Sequence, residues 1–296
     1  MKINDSVYDE IELTGSLEEV AKTKPVQRLK NIHQGGAMFL AYPHIKTSRF
    51  EHSLGVCHLI KILGGNEREQ IAGLLHDLPH TAFSHVIDYV LENNGEDFHE
   101  QHKLRFLLNQ ELSATLLSIG FKSEDFLEDE HFQILEAEHP ALCADRIDYT
   151  LRDLIAWGKI TQQEARLFVD SLVFVESEIA VKSVFWGQWF KDNYDYLNQH
   201  IFRDYKNVAA NTMFSQLLKK ALSINAIAIE DFFQDDNFVL SKINDRPVLQ
   251  EDLKSLKIQL ESDKVRSSTM EFKTRFVDPL IIESDRVSPL SKCIRA

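Results

Sequence analysis

Apolar positions recur at helical spacing through most of this 296-residue chain, with short stretches that break the period. Residues 1–15 alternate polar and apolar through Val7, Ile11 and Leu13, which predicts a short strand or arm. Pro25 opens a helix carrying Val26, Leu29 and Ile32 that runs into the Gly35–Gly36 break. Residues 39–43, from Phe39 to Pro43, are too short and too punctuated for a long helix. From Ser48 the helical pattern resumes through Leu54, His58, Ile62 and Leu63, and Gly64–Gly65 supplies a C-cap. Residues 67–78 predict a second helix with Ile71, Leu74, Leu75 and Leu78 as its stripe. Pro79 lacks a donor and crowds the carbonyl of Leu75, so that helix ends or kinks there.

Residues 84–91 read as a helix and Asn93–Asn94–Gly95 as a turn. Helices follow around 99–118, 131–156 and 162–170. Residues 172–184 predict a small β-hairpin, and a long amphipathic helix covers 186–222. The tail is mixed: a helix near 247–260, then alternation through Met270, Phe272, Phe276 and Val277 before Asp278–Pro279. The predicted class is mainly α, a helical core with a small β-hairpin and a mixed α/β C-terminal tail. Residues 1–225 form the core with its N-terminal arm and hairpin, and 226–296 an appendage packed on it.

Four side chains stand out because they interrupt apolar helical patterns with ligands that are hard to bury: His52, the pair His76–Asp77, and Asp145. Imidazole and carboxylate without thiolate suit a hydrolytic Mn, Fe, Mg, Zn or Ni ion rather than a structural zinc. Two imidazoles and two carboxylates leave positions on a six-coordinate ion for water and substrate, and the carboxylates nearly cancel a divalent charge. Further positive pull is available from Lys46, Arg49, Arg146 and Arg152, all within a few residues of the four. His76 and Asp77 point about 100° apart on a regular helix; the stop at Pro79 lets both reach one ion. On spacing alone, His80 and His99–Glu100 serve equally as acid/base groups or as a helix cap and a solvated helix start. Glu100 or Asp88 is placed to orient an imidazole.

Composition narrows the class further. A 44% hydrophobic share supports a sizeable core. A net charge of −13 argues against strong nucleic-acid binding but leaves room for a small anionic substrate. No signal-peptide-like or transmembrane-length run is present. Cys57, Cys143 and Cys293 are odd in number and widely spaced, the pattern of buried free thiols, so a cytoplasmic location is expected. Trp157, Trp186 and Trp189 read as core or interface, and the acidic run Glu124–Glu130 as a solvated loop or helix start.

The words around the four side chains resemble a known family. Residues 49–56 (RFEHSLGV), 76–88 (HDLPHTAFSHVID) and 144–153 (ADRIDYTLRD) are similar to the HD superfamily of metal-dependent phosphohydrolases. Within it they look most like SAMHD-type and bacterial deoxynucleoside triphosphate triphosphohydrolases, over about residues 25–157. The resemblance implies an HD-domain helical core and a divalent ion held by His52, His76, Asp77 and Asp145. It also implies that His99 works with His80 around the catalytic water, that Arg49, His85 and Arg146 contact phosphates, and that Tyr149, Asp153 and Gln34 contact the sugar. Tyr205 matches a pocket-closing tyrosine in a looser alignment. Pro79 and Ala82 stand where the family has Gly and Pro, and Gly35 follows Gln34 where a Leu packs on the base in the animal enzymes, which puts base selectivity in doubt. The implied activity is hydrolysis of deoxynucleoside triphosphates to deoxynucleoside and triphosphate, with a nucleotide as partner and a homo-oligomer, dimer or higher, as assembly. A nucleoside monophosphatase or phosphodiesterase on the same core, and a non-catalytic nucleotide sensor, are the alternatives.

Overall fold

The computed structural model describes residues 1–95, 97–262, 275–283 and 286–293. Its centre is a pair of helices joined by a short turn, Arg49–Ile62 and Glu67–Leu75, with a third, Ala144–Ala156, packed on the first. The first begins where the sequence says it should. Ser48 accepts from the Glu51 amide while the Glu51 carboxylate accepts from the Ser48 amide, a reciprocal cap. Gly64, at φ +86°, turns the chain out at the other end. The second helix stops at Leu75, three residues earlier than predicted, and residues 76–79 continue as turns.

Two buried apolar clusters form the interior. One joins the amino-terminal segment, the central helices and the 160–202 region. The other packs the helix Tyr205–Ser223 against Val86–Leu91 and Pro247–Glu261, so residues on both sides of position 225 share it.

Several elements differ from expectation. The first 15 residues form a complete antiparallel hairpin, β1 (Lys2–Asp5) and β2 (Asp9–Glu12), followed by a helix, Ser16–Lys22, that the sequence reading omitted. The 99–118 segment is divided, because Asn109 caps a new helix at Gln110–Ser118 by accepting from the Glu111 and Leu112 amides. Residues 132–143 are irregular; Phe132, Ile134, Leu135 and Leu142 are buried there without helical periodicity, and the helix starts only at Ala144. The long helix predicted over 186–222 is Val184–Tyr196, a π-helical turn at Leu197–Phe202, and Tyr205–Ser223. Asp204 ends the first part by capping the second, its carboxylate accepting from the Lys206 and Asn207 amides.

The hairpin β3 (Leu172–Val175) and β4 (Glu178–Val181) forms as predicted. It is extended by two strands from the tail, β5 (Leu280–Glu283), parallel to β4, and β6 (Arg286–Pro289). The expected alternation at Met270 and Phe272 lies outside the described residues; Phe276 and Val277 are not in a strand. Cys57 and Cys143 are buried free thiols, and Cys293 is half-buried. The three tryptophans pack, partly buried, on the first cluster. Among the described residues no helix is long and apolar enough to cross a membrane.

Candidate active site

A cavity of about 660 Å³ opens between the central helices, the loop 76–85, the irregular 127–136 segment and the π-helical turn. On its floor the four singled-out side chains converge. The Nε2 atoms of His52 and His76 lie 3.3 Å apart, and Asp145 Oδ1 is 2.8 Å from the first and 3.5 Å from the second. Asp77 approaches through both oxygens, Oδ1 at 3.6 Å from His76 and Oδ2 at 3.7 Å from His52. Two ligands at right angles, each about 2.1 Å from an ion, sit about 3 Å apart, so this spacing fits one small cation.

The ring orientations are fixed from behind. A carboxylate or carbonyl oxygen can only accept. His52 Nδ1, 2.8 Å from Asp148 Oδ1, and His76 Nδ1, 2.8 Å from the Gly73 carbonyl, therefore carry the protons, and both Nε2 atoms face the centre. Electrostatics also call for a cation. Burial opposes a charged imidazole at His52, yet hydrogen bonds to Asp145 and Asp148 and the charge of Asp77 hold its pKa up to about 10. Asp145 is driven well below the usual carboxylate range, its hydrogen bonds from His52 and His76 overcoming burial.

Next to this cage sit three more imidazoles. His80 and His99 are stacked, centroids 4.0 Å apart, and His85 meets both edge-on at 4.9 and 5.0 Å. Near-parallel planes do not aim two imidazoles at one ion, which suits this trio to handling a substrate rather than a second metal. Burial, then Arg49 and His99, push His80 far down, and burial, then His85 and Arg49, push His99 to about 3. Both are neutral near pH 7. His80 Nε2 lies 3.2 Å from Asp77 Oδ1, and its buried Nδ1 has no partner.

The loop that carries His80 and His85 is backbone-strained and held from outside. Phe83 and Ser84 take left-handed φ angles of 61° and 53°, unfavourable for side-chain-bearing residues. They persist because the Phe83 amide donates to Asp236 Oδ1 (2.6 Å), the Ala82 amide to the Phe232 carbonyl (2.8 Å), and Ser84 Oγ to the His33 carbonyl (2.7 Å). Arg49 completes the lock, its Nε donating to Ser84 Oγ and its Nη1 to Asp77 Oδ2.

Most of the other expected site residues line the same cavity. Gln34, Arg49, His85, Tyr149 and Asp153 are all there. Asp145, Tyr149 and Asp153 are four residues apart on one helix, so they form a single stripe. Burial raises Asp153 to about 7 and, together with Tyr194, raises Tyr149. Gln34 Oε1 is buried without a partner. Glu100 stands at the rim, its carboxylate exposed and 3.9 Å from His99.

Several placements differ from expectation. Arg146 is buried outside the lining; its guanidinium donates to the Ala141 and Ala137 carbonyls and pairs with Glu136, so its charge is committed to the irregular loop and not to a phosphate. Tyr205 begins a helix outside the lining and is partly exposed. Asp88 reaches neither His80 nor His99; it accepts from Asn93 and from the Phe98 amide and lies 3.5 Å from His85. Arg152 does not face the cavity either, being tied to Asp148 and Asp5. The acidic run is also more than a solvated loop, since Glu128, Asp129 and Glu130 line the cavity mouth and Asp129 pairs with buried Lys103.

Sequence reasoning missed Asp148, whose position three residues after Asp145 and four before Arg152 was a usable signal. It also missed Glu136, Lys103, Asn198, Phe202, Arg203, Asn207 and Asn211; Glu136 comes from a loop, Asn198 and Phe202 from the π-turn, Arg203 from the turn after it, Lys103 from a short helix, and Asn207 and Asn211 from the helix Tyr205–Ser223.

Comparison with known proteins agrees with this geometry. The HD domain family matches residues 49–153, the stretch that begins at Arg49 and ends at Asp153. The uncharacterized protein YdhJ of Bacillus subtilis is 39% identical over 294 residues, spanning 97% of this chain and 90% of its own. The chain belongs to the HD superfamily of metal-dependent phosphohydrolases. The metal-dependent phosphohydrolase cns2 of Cordyceps militaris is 40% identical over 173 residues, 57% of this chain and 50% of that protein. A deoxynucleoside triphosphate triphosphohydrolase SAMHD1 homolog of Dictyostelium discoideum is 24% identical over 333 residues, 96% of this chain and 61% of its own. This HD protein is thus a hydrolase with a divalent metal cofactor.

Proposed function

We propose that the HD protein hydrolyses nucleotides, with deoxynucleoside triphosphates as the substrates cut to deoxynucleoside and inorganic triphosphate. The observation that carries this reading is the convergence of His52, His76, Asp77 and Asp145 beside Arg49 and the imidazole trio, on the floor of a nucleotide-sized cavity. Those four residues would hold the divalent ion, with manganese the first to test. When bound, such an ion polarises a phosphoryl oxygen and lowers the pKa of water.

The protein's own groups account for the rest. Arg49 spends two donors on Ser84 and Asp77 and has others to bind a phosphate oxygen. Neutral His80 and His99 accept a proton as a phosphate dianion enters, because a nearby negative charge raises an imidazole pKa. The charged ring then donates to the departing 5′ oxygen. His85, with Asp88 3.5 Å from its Nδ1, offers a third donor, and Glu100 modulates His99 from the rim. Gln34 Oε1 accepts from a sugar hydroxyl, and Tyr149 and Asp153 enclose the sugar from the opposite wall.

A second reading, a nucleoside monophosphatase, is favoured by one specific feature. Glu100, Glu128, Asp129, Glu130 and Glu136 line the cavity, and the Lys103 charge is already committed to Asp129. A monophosphate brings less negative charge to that wall than a triphosphate. Incubation of manganese-loaded protein with deoxynucleoside tri- and monophosphates and cyclic nucleotides, followed by product identification, separates them. Release of triphosphate supports the first reading, and orthophosphate from a monophosphate the second. We further propose a cytoplasmic location, from the free thiols, and a homo-oligomer, which light scattering tests.

A further inference from the structure

Behind His52 runs a buried chain of charge that reaches the amino-terminal hairpin. His52 Nδ1 meets Asp148 Oδ1 at 2.8 Å. Arg152 Nε and Nη2 donate to the two oxygens of Asp148 at 2.9 and 3.0 Å. Arg152 Nη1 donates to Asp5 Oδ2 at 2.9 Å. The other oxygen of Asp5 accepts from the Val7 and Tyr8 amides, which makes the β1–β2 turn. All four side chains are buried, Asp148 completely. The central helix leaves room for this chain only because residue 55 is glycine; a Cβ there would lie 1.9 Å from Asp148 Oδ2 and 2.2 Å from Arg152 Nη2.

We infer that Asp148 is a positioning residue for the metal cage, and that Asp5 and Arg152 hold it in place, so that the hairpin is a working part of the metal site. The reasoning is chemical. An imidazole can present Nε2 to a cation only while its proton stays on Nδ1. A carboxylate facing Nδ1 enforces that tautomer and makes the ring a better donor. Left alone in the interior, that carboxylate would be strongly disfavoured; doubly bonded to a guanidinium it stays ionised and oriented. Arg152 in turn needs a second anion to be fully bonded, and Asp5 supplies it. This inference rests on the four residues holding a metal, and not on which nucleotide is cut.

The test measures metal affinity rather than turnover. Manganese binding to metal-stripped full-length protein is followed by titration calorimetry for wild type, Asp148→Asn and Asp5→Asn, with circular dichroism to confirm folding. In parallel, nitrogen-15 spectra of the zinc-loaded proteins report the His52 tautomer. Asp148→Asn is expected to weaken manganese binding by about 10- to 100-fold and to lose the single Nδ1-protonated state of His52. Asp5→Asn, two links away and touching neither imidazole nor cavity, is expected to weaken binding by a smaller factor with the same spectral sign. Should Asp148→Asn not fold, Asp5→Asn decides alone. Manganese affinity within twofold of wild type in the folded variants, with the His52 spectrum unchanged, would overturn the inference while leaving the cage intact. A wild-type protein that binds no divalent ion would overturn both.

Discussion

The two ends of the cavity are built on different terms. At the floor, three of the four groups that would meet the ion are fixed by a further contact: His52 by Asp148, His76 by the Gly73 carbonyl, Asp77 by Arg49. The supports are helices and a loop pinned by Asp236 and Phe232. At the mouth, Glu128, Asp129 and Glu130 come from a loop holding a single 3-10 turn at Asp129–His131, and Asn198 and Phe202 from a π-helical turn. Rigid elements give the placement that a metal and an attacking water require, whereas loops and π-turns leave the substrate end open to variation. Chemistry should therefore fail sharply when the floor is altered, and substrate preference should shift gradually when the mouth is.

The largest effect is expected at the cage. Asp145→Ala should abolish hydrolysis by at least about 10³-fold and remove the bound metal, measured by elemental analysis beside a turnover assay. Arg49→Lys keeps a charge but loses the planar fork. It should retain the metal and lower kcat/KM by roughly 10²-fold, a split that the same two measurements reveal.

Legibility in the sequence follows the same division. The helix start at Ser48, the break near Pro79 and the placement of Asp145, Tyr149 and Asp153 on one helix are readable because each is set by residues within a turn or two of one another. Asp204 was equally local as a cap, yet it was absorbed into an apolar period that looked continuous across 186–222. The pairing of β5 with β4, the support of the Phe83–Ser84 loop by Asp236, and the commitment of Arg146 to backbone carbonyls depend on partners that no local pattern names.

Within the floor, the cage imidazole His52 and the stacked pair His80 and His99 divide in their response to pH. His52 has its folded pKa raised to about 10, so it stabilises the metal-free protein fully below about pH 6.5 and loses that contribution as pH rises through about 10. His99 has its folded pKa lowered to about 3, with His80 shifted the same way. The unfolded chain takes up those protons below about pH 6.5 while the folded one does not, so stability falls on acidification. Metal-free protein should therefore melt highest near pH 6 to 7 in a series of calorimetric scans. Saturating metal should flatten the alkaline limb, since the cation replaces the His52 proton, and leave the acid limb.

The smallest effect is expected at the mouth. Glu128→Gln with Glu130→Gln removes charge without touching the floor. It should raise kcat/KM for a triphosphate about two- to fivefold over that for a monophosphate at low salt, and the gain should vanish at high ionic strength. An equal change for both substrates would mean that this wall does not sense the phosphate chain.

The central claim is that four side chains from three separate segments bind one cation. Anomalous diffraction from manganese-loaded crystals tests it most directly. The account predicts a single strong peak within about 2.0–2.4 Å of His52 Nε2, His76 Nε2, an Asp77 oxygen and an Asp145 oxygen. A peak elsewhere, or none in protein shown by elemental analysis to carry manganese, would contradict it.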